Sequence, residues 1–396
     1  MTGACPYPFP RPNALGLPEK IAGLHDSPLV PVVLPSGDEA LLLTRYADVR
    51  RVLSDERLSR NLNRPGAARI SKNNRMFQDP RIDPDPPEHT RIRRLVARAF
   101  TPARVKRLEP AIQAIVDELL DSMEKADQPV DLNEAFAFPL PIRVVCELLG
   151  VPEDDVALFR HWTDAFLSVS KFGAQEIKQS MAEMSAYMAR HIASRRQAPA
   201  DDLVSAMIKV RDSEDGSLTE HELHWWCRLL LLVGYETTAT QLGGGIAMLL
   251  AHPDRYRKLC DDPSLVPAAI EELLRWKIVG SSLSMLRYAT DDIPLDGVTI
   301  PKGASVIPAV DCANQDPSVF ADPEVFDLAR TDNPHLTFSL GPHYCIGAAL
   351  ARAELSIATT TLVRRFPGLR LAIPEAELRR QQGALLEGFI EIPVTW

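Results

Sequence analysis

The chain lacks every cysteine arrangement that would cross-link it or chelate a metal on its own. Its six cysteines (Cys5, Cys146, Cys227, Cys260, Cys312, Cys345) are scattered, with no CxxC pair and no dense spacing. That excludes a disulfide framework and a zinc site, and it suits a reducing compartment. The nine histidines form no HExxH pair, so the usual zinc-hydrolase helix is missing too. No uninterrupted apolar run reaches the length of a membrane span, and the start, Met1-Thr2-Gly3-Ala4-Cys5-Pro6-Tyr7-Pro8, has neither a basic nor an apolar leader region. The chain is therefore read as cytoplasmic, with no membrane partner. A net charge of -9 argues against nucleic acid as a partner. Gly/Ser linkers, charge blocks and internal repeats are absent. Although 396 residues would ordinarily suggest two or three domains, the expectation is one catalytic unit over residues 1–396, with 45% apolar residues to build its core.

What is present reads as mainly α with small β-sheets. Val105 to Ala126 and Leu218 to His252 carry apolar residues at helical spacing. Strand signals cluster near both ends, at Ala40 to Thr44 and Gly388 to Val394. Ile293 to Val306 reads as strand, Asp296-Gly297 turn, strand, then a Pro301-Lys302-Gly303 turn. The 33 prolines fall mostly in connections, which points to long ordered loops.

The most informative run is Phe338-Ser339-Leu340-Gly341-Pro342-His343-Tyr344-Cys345-Ile346-Gly347, followed by small residues and no proline until Pro367. A helix beginning at Cys345 is expected. Unpaired amides at its N-terminus would favour an anion, lower the thiol pKa and hold the sulfur as thiolate. Gly341 and Gly347 would let backbone approach a flat ligand closely. Taken singly, a cysteine before a helix is more often a buried, inert one.

A second element is Leu229-Leu230-Leu231-Leu232-Val233-Gly234-Tyr235-Glu236-Thr237-Thr238. Thr219 followed three residues on by Glu222 is a capping box, and the helix should run to His252-Pro253. That is roughly thirty residues, about 45 Å. Leucine this dense implies burial nearly all round, so an acid and two hydroxyls mid-helix are costly unless used. The threonines could instead bond carbonyls one turn back. Three weaker signals remain. Glu272 and Arg275 share a helix face at i,i+3, a spacing usually seen in surface pairs. His89 stands one turn before Arg93 on a predicted helix. Arg91 to Arg107 holds seven Lys or Arg (Arg91, Arg93, Arg94, Arg98, Arg104, Lys106, Arg107) and no acid, which is either a solvated face or a docking patch.

Together these motifs closely resemble the cytochrome P-450 family, in particular its soluble bacterial haem-thiolate monooxygenases, across nearly the whole chain. Phe-x-x-Gly-x-His-x-Cys-x-Gly matches the haem-binding signature, Gly-x-Glu-Thr-Thr the oxygen-activation motif and Glu-x-x-Arg the structural one. The resemblance implies a long central helix crossing over the haem, locally widened at Gly-x-Glu-Thr-Thr to leave a groove for dioxygen, with the cysteine loop opening a helix on the opposite face. It implies heme b, one per chain, with dioxygen as co-substrate, and Cys345 as the iron ligand with Phe338, Gly347 and Gly234 around the cofactor. Glu236 and Thr237 would relay protons to dioxygen; His89, Arg93, Arg287 and His343 would hold the propionates. Glu272, Arg275 and Arg330 would form a network that fixes the Cys345 loop. Electrons would come from a ferredoxin with its reductase, docking near Arg91–Arg107. The small-molecule pocket would be lined from about Ser59 to Gln78, Trp162 to Phe172, Trp226 to Thr237, Val279 to Leu286 and Ala384 to Leu386. Two departures stand out: Val233 replaces the usual Ala or Gly, and Gly280-Ser281-Ser282 replaces a common Pro-Val pair. The implied activity is hydroxylation of a secondary-metabolite-type substrate bearing amide or hydroxyl groups. Oxidative C–C or C–N coupling or ring closure by the same oxidant, and a non-catalytic haem sensor, are the alternatives.

Overall fold

A computed structural model describes residues 4–81, 84–97, 100–212, 218–276 and 279–396. Helices dominate it, as expected, and the largest core cluster lies among them. The helix Pro102–Glu124 packs most closely on Ala348–Arg365. It starts where Thr101 accepts the Arg104 N–H and Pro102 takes the first helical position, a stop-and-start signal that needs no donor there. Pro110 sits inside it. The missing hydrogen bond is outweighed by an apolar stripe of Val105, Ile112, Ile115, Val116, Leu120 and Met123, all buried.

Six short strands form the main sheet in the order Cys5–Pro6, Leu29–Val33, Glu39–Leu43, Ser305–Pro308, Arg287–Ala289, Leu58–Ser59. Glu39–Leu43 and Ser305–Pro308 run parallel, with Leu42 opposite Ile307; the pairing Arg287 opposite Val306 is antiparallel. The hairpin Ile293–Leu295 with Val298–Ile300 forms as the Asp296-Gly297 turn requires, Gly297 taking a φ of 76°. Near the C-terminus the expected strand is shorter: only Pro393–Thr395 pairs, between Arg370–Leu371 and Val130–Asp131, while Phe389 makes an isolated bridge to Arg380.

The long Leu-rich segment is interrupted where the family resemblance implies a local widening. It is two helices, Glu220–Gly234 and Glu236–Leu250, separated at Tyr235, whose backbone (φ -115°, ψ -40°) leaves the helical ladder. The capping box at Thr219 and Glu222 does form. Gly234 is required by close approach, because a Cβ there would lie 2.9 Å from Val145 Cγ2 on the crossing helix Pro139–Leu149. No helix of the described residues is long and apolar enough to cross a membrane.

Glu272 and Arg275, both fully buried, close the structure beneath the Cys345 loop. Arg275 Nε and Nη2 donate to the two Glu272 oxygens at 2.8 and 2.7 Å. The remaining N–H groups reach the carbonyls of Asn314, Pro323 and Val325, so all five guanidinium donors are used. Arg330 Nε and Asn333 Nδ2 also donate to Glu272, each at 3.2 Å. Removing one member strands buried charge, which costs about 3–5 kcal/mol. Glu272→Ala is therefore expected to lower unfolding free energy by about that amount, measured by urea titration. A loss below about 1 kcal/mol, the worth of an exposed pair, would contradict this account.

Candidate functional site

The cysteine lies before the helix rather than at its first residue. The helix is Ala348–Arg365, with Gly347 as its cap, so Cys345 occupies the loop just ahead of it. Its N–H donates to Phe338 O at 2.8 Å, closing the loop on itself. Inside the loop, Ser339 and Gly341 take left-handed backbone, φ 64° and 71°. At Gly341 a Cβ would lie 2.5 Å from Ser54 Oγ and 3.0 Å from Ser54 Cα, so glycine is demanded twice over.

The thiol itself also differs from expectation. Its pKa is raised: enclosure by protein is the largest influence and outweighs the N–H groups of Gly347 and Ala348 and the charges of Arg93 and Arg352, which pull it down. The side chain is exposed only in the sense that it opens into a cavity.

That cavity encloses about 390 Å³. Cys345, Phe338 and His343 border it from the loop, and Val233, Thr237 and Thr238 from the interrupted helix pair. His89, Arg93 and Arg287 add polar lining, as do Arg60 and Gln241. His89 and Arg93 come from one face of the helix Glu88–Ala97, and Arg287 from the strand Arg287–Ala289. The His89 and His343 rings stack with centroids 4.1 Å apart, and Arg93 donates to the Tyr344 carbonyl. The Phe338 ring carries the Arg352 guanidinium 4.5 Å from its centroid. A second cavity of about 220 Å³ shares Val233, Thr237, Ser284 and Leu386 with the first and adds Glu236. Gly234 and Gly347 line neither cavity.

Burial, reinforced by Asp164, pushes the Glu236 carboxyl up to about 7 against the pull of Arg160 and Lys171. It can therefore hold and release a proton near neutral pH. Thr237 Oγ1 stands 3.5 Å from Val233 O, too far to be committed to that carbonyl. The side chain of Val233 is 42% exposed, all the more notable in so apolar a helix, and it borders both cavities.

The donor set fits one particular kind of group. A single sulfur with two imidazoles and three guanidiniums along one cavity suits a metal held in an organic group that carries carboxylates, and not a bare ion: among the described residues no cluster of three or more His, Cys, Asp or Glu could hold a metal. At Gly347, whose N–H bonds to the sulfur, an added Cβ would meet nothing within 4 Å, so protein packing alone does not account for this glycine.

Comparison with known proteins agrees with that fit. The chain is 44% identical over 401 residues, the full length of both, to the mycinamicin IV hydroxylase/epoxidase of Micromonospora griseorubida. It is 42% identical to the nocardicin C N-oxygenase of Nocardia uniformis subsp. tsuyamanensis, with 98% of each chain covered. The chain belongs to the cytochrome P-450 family. The family's sequence profile, described as Cytochrome P450 with the hyphen omitted, matches residues 261–376. A solved structure of a putative thioether synthase of griseoviridin tailoring superposes with a TM-score of 0.93 at 41% identity, covering 99% of this chain and all of that one. As a cytochrome P-450 the protein is an oxidoreductase of the monooxygenase class that holds heme b, uses dioxygen and binds a small-molecule substrate.

Each of the five stretches expected to line the P-450 pocket does contribute, through Phe77, Phe166, Leu229, Ser284 and Leu386 among others. Several lining residues fell outside them, among them Asp79, Pro84, Gln241, Leu274 and Leu355. Asp79 and Pro84 lie just past Gln78, in a loop whose course no local signal marks. The two loop glycines give a paired prediction. Gly341→Ala should destabilise the apoprotein, whereas Gly347→Ala should leave it within about 0.5 kcal/mol yet lower haem retention. Apoprotein melting and haem content per chain measure the two effects; equal retention in Gly347→Ala and the parent would refute the fit at that position.

Proposed function

We propose that the protein is a ferredoxin-dependent monooxygenase that hydroxylates a small organic substrate of the secondary-metabolite type, within one catalytic unit. The observation that carries this reading is the placement of Thr237, which borders both the cavity that Cys345 lines and the adjoining one that Glu236 lines. Cys345 would hold the haem iron through its sulfur, and His89, Arg93, Arg287 and His343 would hold the propionates. When bound, haem iron with one thiolate ligand supplies the electron density that favours O–O cleavage. This chain's residues do the rest. Glu236 takes protons from the side where Asp164, Arg160 and Lys171 stand, and the Thr237 hydroxyl passes them into the cavity. Val233, Leu286 and Leu386 exclude water and press the substrate into place.

The docking patch is narrower than its sequence suggested. Arg98 lies outside the described residues. Arg91 is tied to Glu88 and Glu222, and Arg93 to a carbonyl. The exposed charges are Arg94, Lys106 and Arg107, which suit an acidic electron carrier. The relatives' printed activities, hydroxylation or epoxidation and N-oxygenation, support oxygen insertion. Val233 in the cavity and the likeness to a putative thioether synthase favour a second reading, in which the same oxidant closes a ring or joins two atoms. Product mass separates them: hydroxylation adds an oxygen, coupling removes hydrogens.

Glu236 supplies the direct test. Its carboxyl has a higher pKa folded than unfolded, so the native state binds the extra proton and stability falls as pH rises from about 4.5 through 7, by about 3 kcal/mol in all. Glu236→Gln should match the parent's stability at pH 4 and exceed it at pH 8, read from urea titrations. In turnover it should divert reductant from product to peroxide. Unchanged coupling in both Glu236→Gln and Thr237→Ala would sink the relay.

A further inference from the structure

Behind the cavity wall formed by residues 281–286 lies a closed ring of buried hydrogen bonds that the oxygen chemistry does not use. Its members are Tyr7, Ser282 and Asp311, with relative exposures of 2%, 0% and 8%. The Ser282 N–H donates to the Tyr7 hydroxyl at 2.7 Å, and that hydroxyl donates to Asp311 Oδ2 at 3.3 Å. The Ser282 hydroxyl donates to Asp311 Oδ1 at 2.5 Å, and the Asp311 N–H returns to Ser282 Oγ at 3.2 Å. Burial and the Asp311 carboxylate push the Tyr7 hydroxyl well above its ordinary pKa, so it stays a donor.

The ring is anchored in rigid structure on two sides. Tyr7 follows the edge strand Cys5–Pro6, bonds to Val33 O at 2.9 Å and packs edge-on against Phe9. Asp311 sits in the short helix Val310–Ala313. The third side is the cavity wall. After Gly280, at φ 121°, the chain depends on Ser282 to begin the single turn Leu283–Met285, whose Met285 N–H bonds back to Ser282 O at 2.8 Å. Ser281, Ser284 and Met285 from this turn line the cavity; Tyr7 and Asp311 do not. Leu283 and Leu286 share one buried cluster with Tyr7 and Phe9. A staple for the first strand alone would have no need of the Ser282 amide.

We propose that Tyr7 and Asp311 are positioning residues for substrate selection: by holding Ser282 they set where Ser281, Ser284 and Met285 stand in the cavity wall. This rests on the reading of the cavity as the substrate site. Loss of the Tyr7 hydroxyl frees the Ser282 amide, the turn moves, and ligands that reach the wall feel it while those confined to the iron do not.

The test is optical titration of the holoenzyme with imidazole and with 4-phenylimidazole, following the Soret shift. In Tyr7→Phe the Kd for 4-phenylimidazole should change by about tenfold, while that for imidazole stays within about twofold. Ser282→Ala, which removes the two bonds between the Ser282 hydroxyl and Asp311 and leaves the residue-282 N–H on Tyr7, breaks the Asp311 side of the ring and should shift the same ligand. Met285→Ala serves as the control for the cavity itself. If it shifts 4-phenylimidazole while Tyr7→Phe and Ser282→Ala change only the melting temperature, or shift both ligands equally, the positioning role is wrong and the cavity reading stands. If Met285→Ala also leaves the ratio untouched, the cavity reading fails and this proposal with it.

Discussion

Glu272 and Arg275 form an ion pair in a place where charge is expensive, and the cysteine loop is built on top of it. In a dry interior such a pair is tolerated only when every donor and acceptor is met. Here the guanidinium reaches carbonyls at Asn314, Pro323 and Val325, and Glu272 gathers Arg330, Asn333 and the Asp327 N–H. These contacts pin residues 314–333 to the helix Val266–Arg275, and Asn314 extends the pinning to Leu336 N and Thr337 Oγ1. The chain then enters the loop already fixed. That is why left-handed backbone at Ser339 and Gly341 can be sustained next to Cys345, where it would otherwise relax.

Burial acts on both faces of the cavity with different consequences. At Glu236 it leaves a carboxyl poised near neutrality, because Arg160 and Lys171 only partly oppose it. At Cys345 it raises the thiol despite two amides and two arginines directed the other way. A thiol held neutral by the protein alone becomes a thiolate when a metal cation takes the proton's place. The site is thus shaped for a partner that brings positive charge with it, and the imidazoles and guanidiniums along the same cavity answer the negative charge such a partner carries elsewhere.

Short-range chemistry was readable from the residues; long-range pairing was not. The cysteine run and the Thr219 capping box lie within a few residues of one another, so spacing alone reported them. The helix starts at Ala348 and not at Cys345 because the backbone at Gly347 (φ -86°, ψ 4°) is not yet helical, while Cys345 N–H closes the loop on Phe338 O. Leucine spacing that suits either one helix or two did not itself mark the break at Tyr235, and only the crossing at Val145 explains Gly234. The expected helix Val105 to Ala126 runs through Pro110, and the structure keeps it helical there because the apolar stripe on both sides overrides the local penalty. The Tyr7–Asp311 contact spans 304 positions, and no periodicity could announce it.

The central claim is that Cys345 meets iron as thiolate within this cavity. The absorption spectrum of the reduced protein under carbon monoxide tests it most directly. A strongly red-shifted Soret band is predicted, lost in Cys345→Ala. A band at the position typical of histidine-ligated haem proteins, or one unchanged in that variant, would contradict the claim and the oxygen chemistry built on it.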